Sequence, residues 1–236
     1  MTSGPLIAHS SDLHIDEDCS DGGREGTAGL RDVLATARAV GADLLLLAGD
    51  TFDNNRVRAG TLERTAGMLA AAPMPIVLLP GNHDPALAGS VFHRGGLDEI
   101  AGVSVLGLTH PEAVAFPEYG LEIWGHAHVD YEDMPPLRGP RPRTTRWQVA
   151  MAHGHFEWRR DRANPLRPSW LFSEDDIEAT AADYLALGHW DRAAAVGEGT
   201  VPAYYSGSPE LAGTINLIRL GTATGASVNR HDIVRG

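Results

Sequence analysis

The sequence predicts an α/β fold, and three observations support this. Its 236 residues lie within the usual size range of one such domain. In the first half, continuous apolar runs of strand length, such as residues 44–48, alternate with segments of helical periodicity. The second half contains mostly strand-like runs, and no low-complexity linker divides the chain. We therefore expect one domain that covers residues 1–236.

The predicted elements follow in order along the chain. Apolar residues with helical spacing predict a helix over residues 30–40, with Gly41 at the C-terminal cap position. A second helix is predicted around residues 60–72, before Pro73 and Pro75. Short apolar runs are typical of central strands covered on both faces. They predict strands at residues 6–9, 43–48, 76–79, 103–108, 121–124, 147–152, 184–187, 203–205 and 215–220.

The charge balance is acidic, with 31 acidic residues against 19 basic residues and a formal net charge of -12. This argues against non-specific coating of nucleic acid, although bound cations can supply local positive charge for such a substrate. The single cysteine, Cys19, excludes an intrachain disulfide and fits a reducing compartment. Without a signal-peptide pattern or an apolar run long enough to cross a bilayer, we expect a cytoplasmic protein with no membrane contact.

Polar side chains follow five of the predicted strands at the point where each strand ends. Ligands bind at the carboxyl ends of strands in open α/β sheets. We therefore expect these clusters to converge on one site. They comprise Asp12 and His14, then Asp50 and Asp53, then Asn82, His83 and Asp84, then His153 and His155, and finally His189 and Asp191.

The ligand types in these clusters indicate two divalent metal ions. Carboxylate oxygen, amide oxygen and imidazole nitrogen without thiolate suit manganese first, with iron or zinc as alternatives. Asp12 and His14 are separated by one residue, so an extended backbone would put both on one face. A central carboxylate such as Asp50 can bridge two ions roughly 3.5–4 Å apart, which would clamp a phosphoryl group and activate a bridging water for in-line attack.

Five motifs occur in a fixed order along the chain. They are Asp12-x-His14, Gly49-Asp50-x-x-Asp53, Gly81-Asn82-His83-Asp84, His153 and Gly188-His189. Together they resemble the motifs of the calcineurin-like metallophosphoesterase superfamily. Two further segments look closest to the branch that contains the Mre11 and SbcD DNA-repair nucleases: Ala186-Leu187-Gly188-His189 and Tyr205-Ser206-Gly207-Ser208-Pro209. The resemblance implies a four-layer architecture in which two facing mixed β-sheets are flanked by helices.

The resemblance also implies the ligands of both ions and the roles of three further side chains. The first ion would be held by Asp12, His14 and Asp50, and the second by Asp50, Asn82, His153 and His189. His83 would stabilise the transition state or protonate the leaving group. Asp84 would orient His83, and Asp53 would support His14.

The last motif departs from the family pattern and leaves the first ligand set open. The family has Gly-His-x-His where this chain has Gly188-His189-Trp190-Asp191, so Asp191 or another residue completes that site. A literal Gly-His-x-His occurs earlier, at Gly125-His126-Ala127-His128, but outside the family order. His155 shares a face with His153 and is an alternative ligand to it.

The expected activity is hydrolysis of phosphoesters, preferentially phosphodiesters, by a hydroxide that bridges the two metal ions. The expected partner is a phosphoester substrate, with a nucleotide or nucleic acid as candidates, because the branch that the chain resembles acts on nucleic-acid ends. One alternative is a DNA exonuclease subunit that acts with an ATPase partner. Another is a non-catalytic metal-dependent binding scaffold. The sequence does not indicate an oligomeric state.

An arginine-rich stretch at residues 138–167 flanks His153 and suggests one more hypothesis. Its positive charge would steer an anionic phosphoester toward the metal ions. The alternative is a solvated loop without such a role.

Overall fold

The architecture is given by a computed structural model that describes residues 4–17, 25–139, 141–158, 170–221 and 225–235. The helices in these ranges are α1 (Ala28–Ala39), α2 (Ala59–Ala70), α3 (Val91–Arg94) and α4 (Glu174–Ala179). The strands are β1 (Leu6–Ser10), β2 (Leu44–Ala48), β3 (Ile76–Leu79), β4 (Val103–Val105), β5 (Ala113–Phe116), β6 (Leu121–Gly125), β7 (Trp147–His153), β8 (His155–Phe156), β9 (Leu171–Phe172), β10 (Tyr184–Gly188), β11 (Ala194–Val196), β12 (Ala203–Tyr205), β13 (Thr214–Gly221) and β14 (Gly225–Asp232).

The strands form two six-stranded mixed sheets, and β8 pairs with β9 separately. The first sheet has the order β14-β13-β1-β2-β3-β4, in which β1 to β4 are parallel and β13 is antiparallel to both of its neighbours. The second has the order β11-β12-β10-β7-β6-β5, with four parallel central strands and an antiparallel strand at each edge. Parallel strands end at the same edge of a sheet, so each sheet brings several strand ends together.

Strand β2 shows why its sequence is apolar at every position. Leu45 and Leu47 belong to a buried cluster that includes residues of α1 and α2, whereas Leu44 and Leu46 belong to a cluster shared with the second sheet. Successive strand residues point to opposite faces, so a strand covered on both sides needs apolar residues throughout. The predicted continuous runs therefore correctly indicated strands buried between two layers.

The second sheet is covered on its outer face by a thinner layer. Val149 and Met151 of β7 face the first sheet, whereas Ala150 and Ala152 pack in a third cluster that includes Ile177 of α4. The order of layers is helix, sheet, sheet and a short helix with the β8–β9 pair. The predicted α/β fold with two facing mixed sheets flanked by helices is confirmed. Within the described part of the chain, none of the helices has the length and apolarity needed to span a membrane.

The sequence did not predict β14, the longest edge strand. Its burial alternates between exposed and half-exposed positions along almost its whole length, so it carries no apolar run. It is held by its ladder to β13, which runs from Thr214 paired with Asp232 to Gly221 paired with Gly225, and by Ala226 and Val228, which pack against the cluster shared with the second sheet. Because such pairing depends on backbone hydrogen bonds, the side chains of residues 225–232 did not indicate a strand.

Candidate metal centre

The candidate site lies where strand ends of the two sheets meet. His153, the last residue of β7, donates from Nδ1 to the carbonyl of Ala48, the last residue of β2, at 2.9 Å. Asp12 and His14 follow β1, Asp50 follows β2, Asn82 and His83 follow β3, and His189 follows β10. The structure therefore brings together all five predicted strand ends.

One group of ligand atoms is formed by Asp50, His153 and His189. Nε2 of His153 lies 3.1 Å from Oδ2 of Asp50. Oδ1 of Asn82 lies 2.9 Å from Nε2 of His153 and 3.1 Å from Nδ1 of His189. This set matches the four side chains expected at the second ion.

A second group is formed by His14, Asp50 and His83. Nε2 of His14 lies 3.9 Å from Oδ2 of Asp50, and Nδ1 of His14 lies 3.3 Å from Oδ1 of Asp53. The rings of His14 and His83 meet edge to face, with centroids 4.8 Å apart. Asp50 is common to both groups, the position that a bridging carboxylate requires.

Asp12 is not part of either group among the described residues. Both of its carboxylate oxygens accept the backbone N–H of His189 at 3.0 Å, and Oδ2 also accepts the Ser11 hydroxyl at 2.5 Å. The expected placement of Asp12 and His14 on one face of a strand is therefore wrong. The same-face argument requires an extended backbone, but Asp12 and His14 have φ values of 54° and 43°.

The hydroxyls of Ser11 and Ser206 form a buried contact behind Asp12. Their oxygens are 2.8 Å apart, and neither residue is exposed to solvent. Sequence reasoning missed both serines as site residues, because isolated serines at strand ends are common. The only available signal was the segment Tyr205-Ser206-Gly207-Ser208-Pro209.

Asp84 does not orient His83, and this prediction is corrected. The fully buried carboxylate of Asp84 accepts the backbone N–H groups of Gly81 at 2.7 Å and Phe52 at 2.9 Å. Burial, together with repulsion from Asp50, raises the pKa of Asp84 to about 7. The two N–H donors act in the opposite direction, because they favour the charged form of the carboxylate. The His83 ring is held through Nδ1 by the backbone carbonyl of Asp53 at 2.8 Å.

Backbone strain is concentrated at this site. Six non-glycine residues have positive φ in the described ranges, and four of them are Asp12, His14, Asp50 and His189. Such conformations cost of order 1–3 kcal/mol each and persist where the surrounding structure imposes them. The strain turns these side chains off the regular strand direction and toward one another.

The electrostatics of the cluster fit a bound cation. Burial opposes a charge on His153, but attraction and a hydrogen bond from Asp50 outweigh it and raise the pKa of His153 to about 9. The same pair holds the pKa of Asp50 below its ordinary value, although burial alone would raise it. A proton on His153 thus compensates buried negative charge, and a divalent cation held by the same oxygen and nitrogen donors would do so in its place.

Two glycines leave the space that this cluster occupies. A Cβ on Gly81 would lie 2.2 Å from Oδ1 of Asp50, and a Cβ on Gly49 would lie 2.0 Å from Nδ1 of His153. Gly49 also has a φ of +91°, so it supplies the predicted sharp turn. Gly81 supplies room for the carboxylate.

Two of the alternative metal ligands, Asp191 and His155, lie outside both groups of ligand atoms. Asp191 is exposed and belongs to neither group, so the expectation that it completes the first site is corrected. The φ of 104° at His189 breaks the extended spacing that would have placed Asp191 beside it. His155 accepts the indole N–H of Trp190 at 3.0 Å and also lies outside both groups.

His126 and His128 follow β6 but also stand outside both groups. His128 is fully buried, and its Nε2 donates to the backbone carbonyl of His153 at 2.9 Å. Burial, followed by repulsion from His153, lowers the pKa of His128 to about 4. His128 therefore supports His153 as a neutral hydrogen-bond donor.

Three of the four arginines of the predicted steering region that the structure describes are engaged elsewhere, and the fourth, Arg138, is exposed. Arg141 lies 3.0 Å from Glu122, near the start of β6, and Arg143 lies 2.6 Å from Asp183, just before β10. Arg146 lies over the ring of Trp147, the first residue of β7. These are the amino ends of the strands, opposite the site. Arg159, Arg160, Arg162 and Arg167, like Cys19, fall outside the described residues.

Residues 5–192 match the family model described as Calcineurin-like phosphoesterase. The chain belongs to this family. The two groups of ligand atoms lie within the matched region.

A curated relative of this calcineurin-like phosphoesterase is the uncharacterized metallophosphoesterase YhaO of Bacillus subtilis (strain 168). The two are 26% identical over 212 residues, which cover 80% of this chain and 49% of the relative. The chain therefore spans about half the length of that protein.

Solved structures share the fold at low sequence identity. A putative 5'-nucleotidase from Staphylococcus aureus, solved in complex with alpha-ketoglutarate, aligns with a TM-score of 0.60 at 13% identity, covering 98% of this chain and 54% of that one. A second crystal structure aligns with a TM-score of 0.61 at 13% identity, covering 98% of this chain and all of the other. At this identity the similarity establishes the architecture alone.

Proposed function

We propose that this chain is a dinuclear-metal-dependent hydrolase that prefers phosphodiesters. The observation that carries the proposal is the position of Asp50, whose carboxylate lies between His14 on one side and the His153–His189 group on the other. A single carboxylate between two sets of donors is what a pair of closely spaced ions requires. The family membership supplies the phosphoester chemistry.

The ligand assignments belong to the same proposal. Asp50, Asn82, His153 and His189 hold one ion, and Asp50 and His14 hold the other, with Asp53 supporting His14. Asp12 contributes negative charge from beside His189. Bound divalent ions would supply charge stabilisation for the phosphoryl group and an activated water at neutral pH. Manganese is the first candidate because the donors combine hard oxygens with imidazole nitrogens.

We assign His83 to the leaving group. Its side chain is about half exposed, at 45%, whereas the other histidines of the cluster are more buried. The carbonyl of Asp53 only accepts hydrogen bonds, so the contact at 2.8 Å puts a proton on Nδ1 and leaves Nε2 free. A protonated His83 can then donate from Nε2 to the departing oxygen.

The surroundings of His83 favour a diester over a monoester. The cavity next to it is lined by three carboxylates, those of Asp16, Glu17 and Asp53. A phosphodiester carries one negative charge at neutral pH, whereas a phosphomonoester carries close to two. The acidic lining therefore disfavours the monoester more strongly. A cytoplasmic location, consistent with the single cysteine, is part of the proposal.

The test is hydrolysis of p-nitrophenyl phosphate and bis-p-nitrophenyl phosphate by the purified protein, first stripped of metal and then supplied with manganese. We expect metal-dependent turnover with the diester preferred. His83→Ala should lower kcat by about 10²–10⁴-fold while manganese binding persists. His93→Ala, which replaces an exposed histidine paired with Asp98, is the matched control and should behave as wild type.

Two results would contradict the proposal. A single bound manganese ion at saturation would exclude the dinuclear site. Stoichiometric binding of two ions without turnover on either substrate would instead favour a binding scaffold.

A further inference from the structure

The loops after β2 and β3 are joined by hydrogen bonds on both sides of Asp53. Before it, the backbone N–H of Phe52 donates to Oδ2 of Asp84 at 2.9 Å. After it, Nδ2 of Asn55 donates to the backbone carbonyl of Pro85 at 3.0 Å. These two hydrogen bonds bracket the Asp53 carbonyl and fix its place relative to the loop after β3. The second of them depends on a side chain, so a substitution can remove it.

The side-chain amide of Asn55 has one orientation that satisfies its partners. Oδ1 accepts the backbone N–H of Val91 at 2.9 Å, while Nδ2 donates to the carbonyl of Pro85. A backbone N–H can only donate and a carbonyl can only accept, so exchanging the two amide atoms would lose both hydrogen bonds. An aspartate at this position would keep an acceptor for Val91 but would have no donor for Pro85.

Helix α3 provides a rigid base for Asn55. Val91 and Phe92 of this helix are fully buried, and the ring of Phe92 meets that of Phe52 edge to face, with centroids 5.8 Å apart. Nη2 of Arg94, at the end of the helix, donates to the backbone carbonyl of Asn55 at 2.8 Å. The side chain and the backbone of Asn55 are therefore both bonded to α3.

The direction of the His83 ring depends on the carbonyl that this bracket holds. The side chain of His83 is 45% exposed, so close packing does not fix it. Its ring meets the edge of the His14 ring at a centroid distance of 4.8 Å, a contact that does not distinguish the two ring nitrogens. The hydrogen bond from Nδ1 to the Asp53 carbonyl does distinguish them, and it leaves Nε2 for a substrate.

We propose that Asn55 is a positioning residue for His83. By holding Pro85 to the loop after β2, it keeps the Asp53 carbonyl on Nδ1 of His83 and so keeps Nε2 available for the departing oxygen. The inference rests on the proposed function, in which His83 protonates the leaving group. It adds to that assignment a residue of the surrounding loops.

The first measurement compares two aryl diesters with the manganese-loaded enzyme. Phenolate is more basic than p-nitrophenolate, so hydrolysis of diphenyl phosphate depends more on a proton donor than hydrolysis of bis-p-nitrophenyl phosphate. We expect Asn55→Ala and Asn55→Asp each to lower kcat for diphenyl phosphate about ten-fold more than kcat for bis-p-nitrophenyl phosphate. Asn229→Ala, at an exposed position in β14, is the control and should behave as wild type. An equal loss on both diesters would indicate a general structural role and overturn the inference.

Nitrogen NMR of the His83 ring separates the inference from the proposed function. It is recorded on the full chain with chelator, at a pH where the ring is neutral. The wild type should show the tautomer protonated at Nδ1, because the Asp53 carbonyl accepts from that nitrogen. Appearance of the tautomer protonated at Nε2 in both Asn55 variants, but not in Asn229→Ala, supports the inference even when the wild type shows no turnover.

A His83 spectrum that is unchanged in both Asn55 variants overturns the inference, whatever the activity. Full activity of His83→Ala on both diesters would instead contradict the assignment of His83 in the proposed function. The tautomer measurement would then still decide whether Asn55 positions the ring.

Discussion

Asp12 carries charge at the site, and residues that bind no ligand themselves hold its carboxylate in place. Burial raises the pKa of Asp12, which disfavours its charged form, although the charge of His153 acts in the opposite direction. The Ser11 hydroxyl and the N–H of His189 donate to the carboxylate and favour its ionisation. Ser206 then fixes the Ser11 hydroxyl at 2.8 Å. The charge of Asp12 therefore depends on a contact that spans β1 and the segment after β12.

Replacing Ser206 should loosen this arrangement. Ser206→Ala leaves the Ser11 hydroxyl with one partner fewer in a buried position, and outer contacts of this kind are worth about 10–100-fold in metal affinity. We expect manganese affinity, measured by calorimetry, to fall by roughly ten-fold. Ser208→Ala is the control, since the hydroxyl of that serine accepts the N–H of Leu211 at 3.3 Å and makes no hydrogen bond with Ser11 or Asp12 among the described residues. Equal affinities for the two variants would show that Ser206 has no positioning role.

At the scale of elements, the close packing of the loops after β2 and β3 forms the centre of the site. The N–H of His83 donates to Oδ1 of Asp50 at 2.9 Å. This hydrogen bond joins the two loops, because the loop after β3 supplies the N–H and the loop after β2 supplies the carboxylate. Gly81 permits this approach, because its missing Cβ leaves the position that the Asp50 carboxylate fills. The two strands are neighbours in register from Leu45 paired with Ile76 to Ala48 paired with Leu79.

The prediction at this scale compares two glycine substitutions. Gly81→Ala places a methyl group 2.2 Å from Oδ1 of Asp50 and 2.5 Å from its backbone nitrogen, so the loop must shift. We expect metal-dependent hydrolysis to fall at least a hundred-fold, an estimate of about 2.7 kcal/mol or more. Gly67→Ala lies within α2 with no neighbour inside 4 Å and should stabilise the protein by about 0.5–1 kcal/mol. Thermal unfolding and activity measured on both variants decide the outcome.

At the scale of the whole molecule, a buried polar cluster links the two sheets. Nδ1 of His9, in β1 of the first sheet, lies 2.9 Å from the Tyr184 hydroxyl, in β10 of the second. Asn216 of β13 donates to the same hydroxyl at 3.4 Å. Burial lowers the pKa of His9 to about 3, so the ring is neutral in the folded protein at pH 7.

This cluster makes stability depend on pH with a defined sign. An unfolded histidine titrates near 6.5, whereas the folded His9 does so only near 3. As the pH falls through that window, the unfolded chain binds a proton that the folded protein does not. The free energy of unfolding therefore decreases by up to about 1.4 kcal/mol per pH unit from this group.

His9→Gln removes that contribution and should flatten the decrease between pH 7 and pH 5. Urea unfolding in the presence of chelator measures it, and His93→Gln is the control at an exposed histidine. Parallel slopes for wild type and His9→Gln would show that His9 is not the titrating group.

The sequence by itself determined the fold class and the chemistry of the site. Apolar runs mark strands covered on both faces, because a polar side chain on either face would be buried and would need a hydrogen-bond partner. Asp, Asn and His at the ends of those runs indicated one convergent site of oxygen and nitrogen donors. That inference needs only the rule that parallel strands end together, and the structure brings all five ends to one place.

Only the tertiary structure decided which partner each of those residues contacts. Asp12 faces His189, 177 residues away in the chain, and His14 turns to Asp50 and Asp53. Asp84 binds backbone, Asp53 holds His83, and Asp191 stays exposed. Sequence spacing assumes regular backbone, whereas positive φ angles at Asp12, His14, Asp50 and His189 redirect the side chains. Those angles are imposed by contacts between distant segments, so no local pattern in the sequence encodes them.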